Sequence, residues 1–183
     1  MKHDRNNFWV FGYGSLMWRP DFPYIDAQRV RVFGYHRALC ALSTGHRGTL
    51  DRPSLIVGLD RGGTCLGQAY HVAPEHVDDV AAYLQSREMK SGVYEPRQVT
   101  INLAHGLKTS ALTYAVCRES PLYTGKLPIE RQAELVLQGK GVSGTGLDYL
   151  KSMVAHLDEM NIPCEHFRAV LQHTQTVNRQ NKI

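Results

Sequence analysis

Apolar positions in the first two thirds of the chain recur mostly every second residue, and in the last third every three or four. Phe8, Trp9, Val10 and Phe11 form a continuous apolar run, which predicts a strand buried on both faces. Trp18 to Pro23 predicts a proline-rich loop. Val30, Val32, Tyr35 and the run Ala38 to Leu42 predict one long strand or two short ones over 26–43. A polar loop follows from Gly45 to Pro53. Residues 54–59 and 64–72 flank Asp60-Arg61-Gly62-Gly63, and this glycine-rich interval predicts a hairpin turn. Pro74 then opens a helix that places Val77, Val80, Ala81 and Leu84 on one face and frays by Gly92. Residues 94–103 and 108–117 alternate about His105-Gly106 as a second hairpin.

The last third is helical. Pro128 to Gln138 is amphipathic and ends at Gly139. Thr145 and Asp148 resemble a capping box for a helix with Leu147, Leu150, Val154 and Leu157 on one side. Pro163 opens a final helix that should reach about Leu171, leaving a loose polar tail over 178–183. Strands first and helices last predict an α+β fold: a small mixed or antiparallel sheet, able to close into a β-barrel, flanked by helices. At 183 residues the chain fits one domain spanning 1–183, with its core at about 8–173.

Composition narrows the picture further. Apolar residues make up 43% of the chain, enough for a packed core. The net charge of +4 is dispersed. The densest basic group, Arg29, Arg31, His36 and Arg37, falls within the 26–43 strand segment and reads as its solvated face. No basic tract interleaves with aromatics, so no nucleic-acid partner is expected. No apolar stretch approaches the ~20 residues of a membrane span, and the polar start Lys2 to Asn7 is not a secretory signal. Cys40, Cys65, Cys117 and Cys164 are widely separated, as reduced thiols of a cytoplasmic protein would be. The scattered histidines suggest no metal site, and no cofactor is expected.

Candidate chemistry gathers at two places. Gly12-Tyr13-Gly14-Ser15 ends the first strand, where absent side chains expose backbone N–H groups beside a hydroxyl. Such an end suits a carboxylate or a developing oxyanion, and equally a bulge in a core strand. Glu88 stands in the last turn of the 75–87 helix, where the helix dipole disfavours an anion and raises its affinity for a proton. That suits a general acid/base; a solvated glutamate paired with Arg87 or Lys90 is the competing reading. Arg47, in a glycine-flanked loop, could anchor a substrate carboxylate or simply be solvated. Tyr94, Tyr114 and Tyr149 are pocket or core tyrosines. Gly139-x-Gly141-x-x-Gly144 matches a dinucleotide fingerprint only as a string, since a helix precedes it where a strand is required. Ser15 lacks the Gly-x-Ser-x-Gly elbow, which leaves a serine hydrolase as a distant third reading.

Taken in order, residues 10–18 (Val-Phe-Gly-Tyr-Gly-Ser-Leu-Met-Trp), 45–49, 58–67, 83–89, 92–94 and 141–150 resemble the ChaC-like γ-glutamylcyclotransferases. The resemblance implies a small β-barrel with helices, and cleavage of glutathione to 5-oxoproline and cysteinylglycine. It also implies that Gly12, Tyr13, Gly14, Ser15, Leu16 and Met17 grip the γ-glutamyl group while Glu88 moves protons. Met17 replaces a smaller or branched aliphatic residue common in the family. Glutathione would be the only partner needed by a monomer or homodimer. Other γ-glutamyl amines as substrates, or a non-catalytic γ-glutamyl sensor, are the alternatives.

Overall fold

The structure is a computed structural model that describes residues 4–180, apart from the side chain of His105. The outermost ends of the polar start and of the polar tail, residues 1–3 and 181–183, lie outside the described residues. In chain order the elements are β1 (Phe8–Gly12), β2 (Asp26–Ser43), β3 (Ser54–Val72), α1 (Val77–Met89), β4 (Tyr94–Asn102), β5 (Lys108–Val116), α2 (Ile129–Gln138), β6 (Lys140–Gly141), β7 (Gly144–Thr145), α3 (Gly146–Glu159) and α4 (Glu165–Gln180). The α+β expectation holds. The main sheet is curled and mixed, in the order β2-β3-β1-β5-β4.

By contacts the chain forms two compact units: residues 1–37 with 59–117, and residues 38–58 with 118–183. In the first unit β1 pairs antiparallel with β3, from Phe8 opposite Val72 to Gly12 opposite Gln68, and parallel with β5. β1 is the central strand of the five, and its continuous apolar run is buried throughout, as in a strand covered on both faces. The second hairpin forms as expected, β4 against β5 from Tyr94 opposite Val116 to Asn102 opposite Lys108. Helix α1 buries Val77, Val80 and Leu84 in a cluster with Phe8, Val10, Leu16, Phe22, Tyr70, Leu112 and Tyr114. Each such aliphatic side chain contributes roughly 1.5–3 kcal/mol by leaving water.

The hairpin expected at Asp60–Gly63 is not there. Residues 54–72 form one strand. Gly62 and Gly63 have φ of +98° and +72°, and they sit in its exposed middle. They interrupt the extended backbone without reversing it, because the flanking segments pair with other strands, β1 among them, instead of with each other.

The second unit packs α2, α3 and α4 together. Thr145 caps α3 as expected, its hydroxyl oxygen accepting from the Asp148 N–H at 3.0 Å. Gly139 ends α2, and residues 139–146 fold back as the small β6/β7 ladder, not as a nucleotide loop. Helix α4 runs nine residues past the expected end at Leu171, and takes in 178–180 of the expected loose tail. Its continuation is anchored by buried Thr174, whose hydroxyl donates to the Val170 carbonyl at 2.6 Å. A threonine at 174, where the period of Phe167, Val170 and Val177 calls for an aliphatic residue, conceals the continuation.

Candidate active site

The end of β1 is shaped by close approach. A methyl group on Gly12 would stand 2.9 Å from Leu16 Cβ, and one on Gly67 of β3 would overlap the Gly12 carbonyl oxygen and the Phe11 ring. Bare backbone at both positions lets the chain leave the sheet at once into a short 3-10 turn, Ser15–Met17. The Met17 N–H donates to the Gly14 carbonyl at 2.9 Å, closing the turn. The N–H groups of Ser15 and Leu16 precede that first bond, so the turn itself does not use them.

Three side chains hold the turn from outside. The Tyr70 hydroxyl reaches the carbonyls of Leu16 at 2.9 Å and Met17 at 2.8 Å. Arg37 donates to the Tyr13 carbonyl at 2.5 Å, to the Leu66 carbonyl at 2.6 Å and to Met17 Sδ at 3.4 Å. Arg87 Nη2 donates to Ser15 Oγ at 3.0 Å. Tyr13, Leu16 and Met17 are buried.

Glu88 occupies the last turn of α1, and its side chain is 16% exposed. Its carboxylate lies 3.3 Å from Arg87 Nε. Burial pushes the Glu88 carboxyl above the usual carboxylate range, with Arg87 pulling the other way. Tyr114, buried on β5, has its hydroxyl pushed up to about 12, chiefly by burial and then by the charge of Glu88. Tyr94 packs against the same cluster. The competing expectation of a glutamate paired with Arg87 therefore describes the contact correctly but not the solvation. The pair is largely dry, and its arginine also holds the Ser15 loop.

Arg47 belongs to the second unit. Its guanidinium donates to the Ser143 carbonyl and lies over the Tyr149 ring, 5.4 Å from the centroid. Its N–H donates to Ser43 Oγ at 3.0 Å. Loop 45–48 is tied down further by Val142 N–H donating to the Gly45 carbonyl at 3.1 Å and Ser143 N–H to that of His46 at 2.8 Å.

Sequence reasoning missed Arg37, Tyr70 and the second attachment of Arg87. For Arg37 a signal existed. Gly34, at φ +81°, interrupts β2 between Arg31 and Arg37, so a two-residue parity cannot be carried across it. Beyond it Arg37 is half-buried instead of solvated. Nothing in the sequence foretells the bond from Arg87 to Ser15, which are 72 positions apart.

Chemically, the arrangement offers a proton-hungry carboxylate, two backbone donors and a hydroxyl that already accepts from a cation. A hydroxyl so engaged is a poorer nucleophile and a better donor, which disfavours covalent catalysis by Ser15. Among the described residues no group of three or more His, Cys, Asp or Glu side chains gathers as a metal site would.

Comparison with known proteins bears on the fold and the family. A crystal structure of a γ-glutamylcyclotransferase specific to glutathione from yeast superposes with a TM-score of 0.81 at 21% identity, covering 93% of this chain and 96% of that one. The fold is thus that of the γ-glutamylcyclotransferases. The human glutathione-specific gamma-glutamylcyclotransferase 1 is 39% identical over 151 residues, 80% of this chain and 68% of that protein. The glutathione-specific gamma-glutamylcyclotransferase of Escherichia coli K12 is 31% identical over 159 residues, 87% of this chain and 69% of that protein. The sequence profile of the ChaC-like proteins matches residues 8–180, and the chain belongs to that family.

Proposed function

We propose that this protein is a glutathione-specific γ-glutamylcyclotransferase, with the β1 end as its γ-glutamyl cradle and Glu88 as its acid/base. The observation that carries the site assignment is a single one. A mostly buried acid with raised proton affinity is joined through Arg87 to the hydroxyl of the glycine-rich turn. The activity rests on the relatives, whose names specify glutathione.

The reaction needs no enzyme nucleophile. The substrate's α-amine attacks its own γ-carbonyl, a C–N bond forms to close a five-membered lactam, and the amide bond to cysteinylglycine breaks. Folding the γ-glutamyl chain so that nitrogen meets carbonyl is intramolecular attack, in which alignment contributes up to ~7–11 kcal/mol in the best cases. Glu88 takes the proton that the amine nitrogen loses and returns it to the departing amine. A carboxyl whose proton affinity is raised toward neutrality performs both transfers better than one at its ordinary value. The N–H groups of Ser15 and Leu16, with the Ser15 hydroxyl, meet the γ-oxygen as it gains charge or the α-carboxylate. Arg47 is a candidate anchor for a substrate carboxylate only if it exchanges its present partners for it.

The chain would work as a monomer or homodimer in the reducing cytoplasm. Cys40, Cys65 and Cys164 are buried free thiols, Cys117 is a partly buried one, and no described helix is long and apolar enough to cross a membrane. The test is turnover of purified protein with glutathione and, separately, with γ-glutamyl-alanine. Release of 5-oxoproline from glutathione with little from γ-glutamyl-alanine is expected. Comparable release from both would overturn the specificity, and none from either would overturn the activity.

A further inference from the structure

We propose that Arg87 is a positioning residue for this reaction, a single guanidinium that couples the cradle hydroxyl of Ser15 to the carboxylate of Glu88. The inference rests on the cyclotransferase reading above and adds a part to it.

The geometry is that of a hub. Nη2 donates to Ser15 Oγ at 3.0 Å, and Nε faces Glu88 Oε1 at 3.3 Å. Nη1 donates to the Tyr83 hydroxyl at 2.6 Å and the Arg19 carbonyl at 2.9 Å, with the Pro20 carbonyl at 3.4 Å and Asp21 Oδ2 at 3.5 Å. All three guanidinium nitrogens are engaged, and the side chain is 22% exposed. One rigid planar group therefore sets the distance between the turn and the acid, and it ties the 19–21 segment to α1. Lysine carries the same charge but has neither the fork nor the reach to meet these acceptors together.

Two consequences follow for the chemistry. Ser15 Oγ accepts from a cation, so its own proton is left to donate toward the substrate. Two carboxylates share the one cation, and they are unequal: Asp21 is 57% exposed and screened by water, whereas Glu88 is largely dry. The charge of Arg87 is therefore felt mainly at Glu88, where it opposes the effect of burial. Tyr114 of β5 is the titratable group from another element that feels the charge of Glu88, and Tyr83 of α1 and Tyr94 of β4 pack against the same apolar cluster as Tyr114.

The experiment compares wild type, Arg87→Lys and Arg87→Met for 5-oxoproline release from glutathione between pH 5 and 9, with melting temperatures recorded alongside. Arg87→Lys should keep the acidic limb of kcat/KM near its wild-type position while kcat falls roughly tenfold or more, because charge is retained and geometry is lost. Arg87→Met should lose at least as much in kcat, and its acidic limb should move to higher pH, because Glu88 loses the cation that favours its ionised form. A folded Lys variant with kcat within about threefold of wild type overturns the proposal, as does a folded Met variant whose limb does not move. If the Met variant does not fold, the Lys variant decides alone. A wild type that releases no 5-oxoproline sinks the functional reading itself, a result distinct from either of these.

Discussion

At the residue scale the account turns on Glu88 and Ser15. Burial raises the Glu88 proton affinity in the folded state above its unfolded value. Folding therefore favours the protonated form. That contribution to stability is complete at pH below the unfolded pKa and is lost as pH rises through the folded one. Glu88→Gln keeps the shape and removes the buried charge. It should melt at a higher temperature than wild type above neutral pH, and the difference should close as the pH is lowered. Calorimetric melts across pH 4–9 check this. An acid retained at a cost in stability is what a catalytic role predicts. Ser15→Ala should lower kcat by roughly 10²-fold, the scale of one lost oxyanion donor, and wild-type Ser15 should resist active-site serine reagents such as fluorophosphonates. The proton affinity of Glu88 was partly legible in the sequence, because its place in the last turn of a helix already disfavours charge. The desolvation that dominates it was not, because burial comes from the tertiary fold: Tyr114, the residue of another element that feels its charge, lies 26 positions away on β5.

At the element scale the site depends on how β1 ends. Gly12→Ala brings a methyl within 2.9 Å of the Leu16 Cβ and 3.2 Å of its carbonyl carbon, so the 3-10 turn must shift. It should cost about 1–3 kcal/mol of stability, and more in activity than in stability, because the turn is the part displaced. Gly67→Ala should be worse, since the atom its methyl would overlap is a backbone oxygen that has nowhere to go. Denaturant melts beside turnover of both variants would show the ordering. This crowding was legible as a glycine pattern at 12 and 14 but not at 67, whose partner is a different strand. The misread hairpin at 60–63 has the same origin. Glycine pairs at positive φ serve turns and bulges alike, and only the pairing of distant strands distinguishes them. Helix α4 shows the opposite failure, a continuation held by one buried threonine that an apolar period does not reveal.

At the scale of the whole molecule, the change from a two-residue to a three-to-four-residue period gave the α+β class correctly, and the ordered motifs gave the family. The division into two compact units was not legible, because β2 and β3 run through two of its three boundaries without any break in composition. The thiols are a whole-molecule property too. With Cys40, Cys65 and Cys164 buried and Cys117 partly so, the native protein should yield at most about one fast-reacting thiol to Ellman's reagent and all four after denaturation. The central claim is that the substrate cyclises on itself in a glycine-rich cradle while Glu88 carries the protons. Its most direct test is chromatography of the products from glutathione with wild type and with Glu88→Gln. The account predicts 5-oxoproline and cysteinylglycine in equal amounts from wild type, and a folded Gln variant slower by roughly 10²–10⁴-fold. A folded Gln variant that keeps more than about a tenth of the wild-type kcat would contradict it.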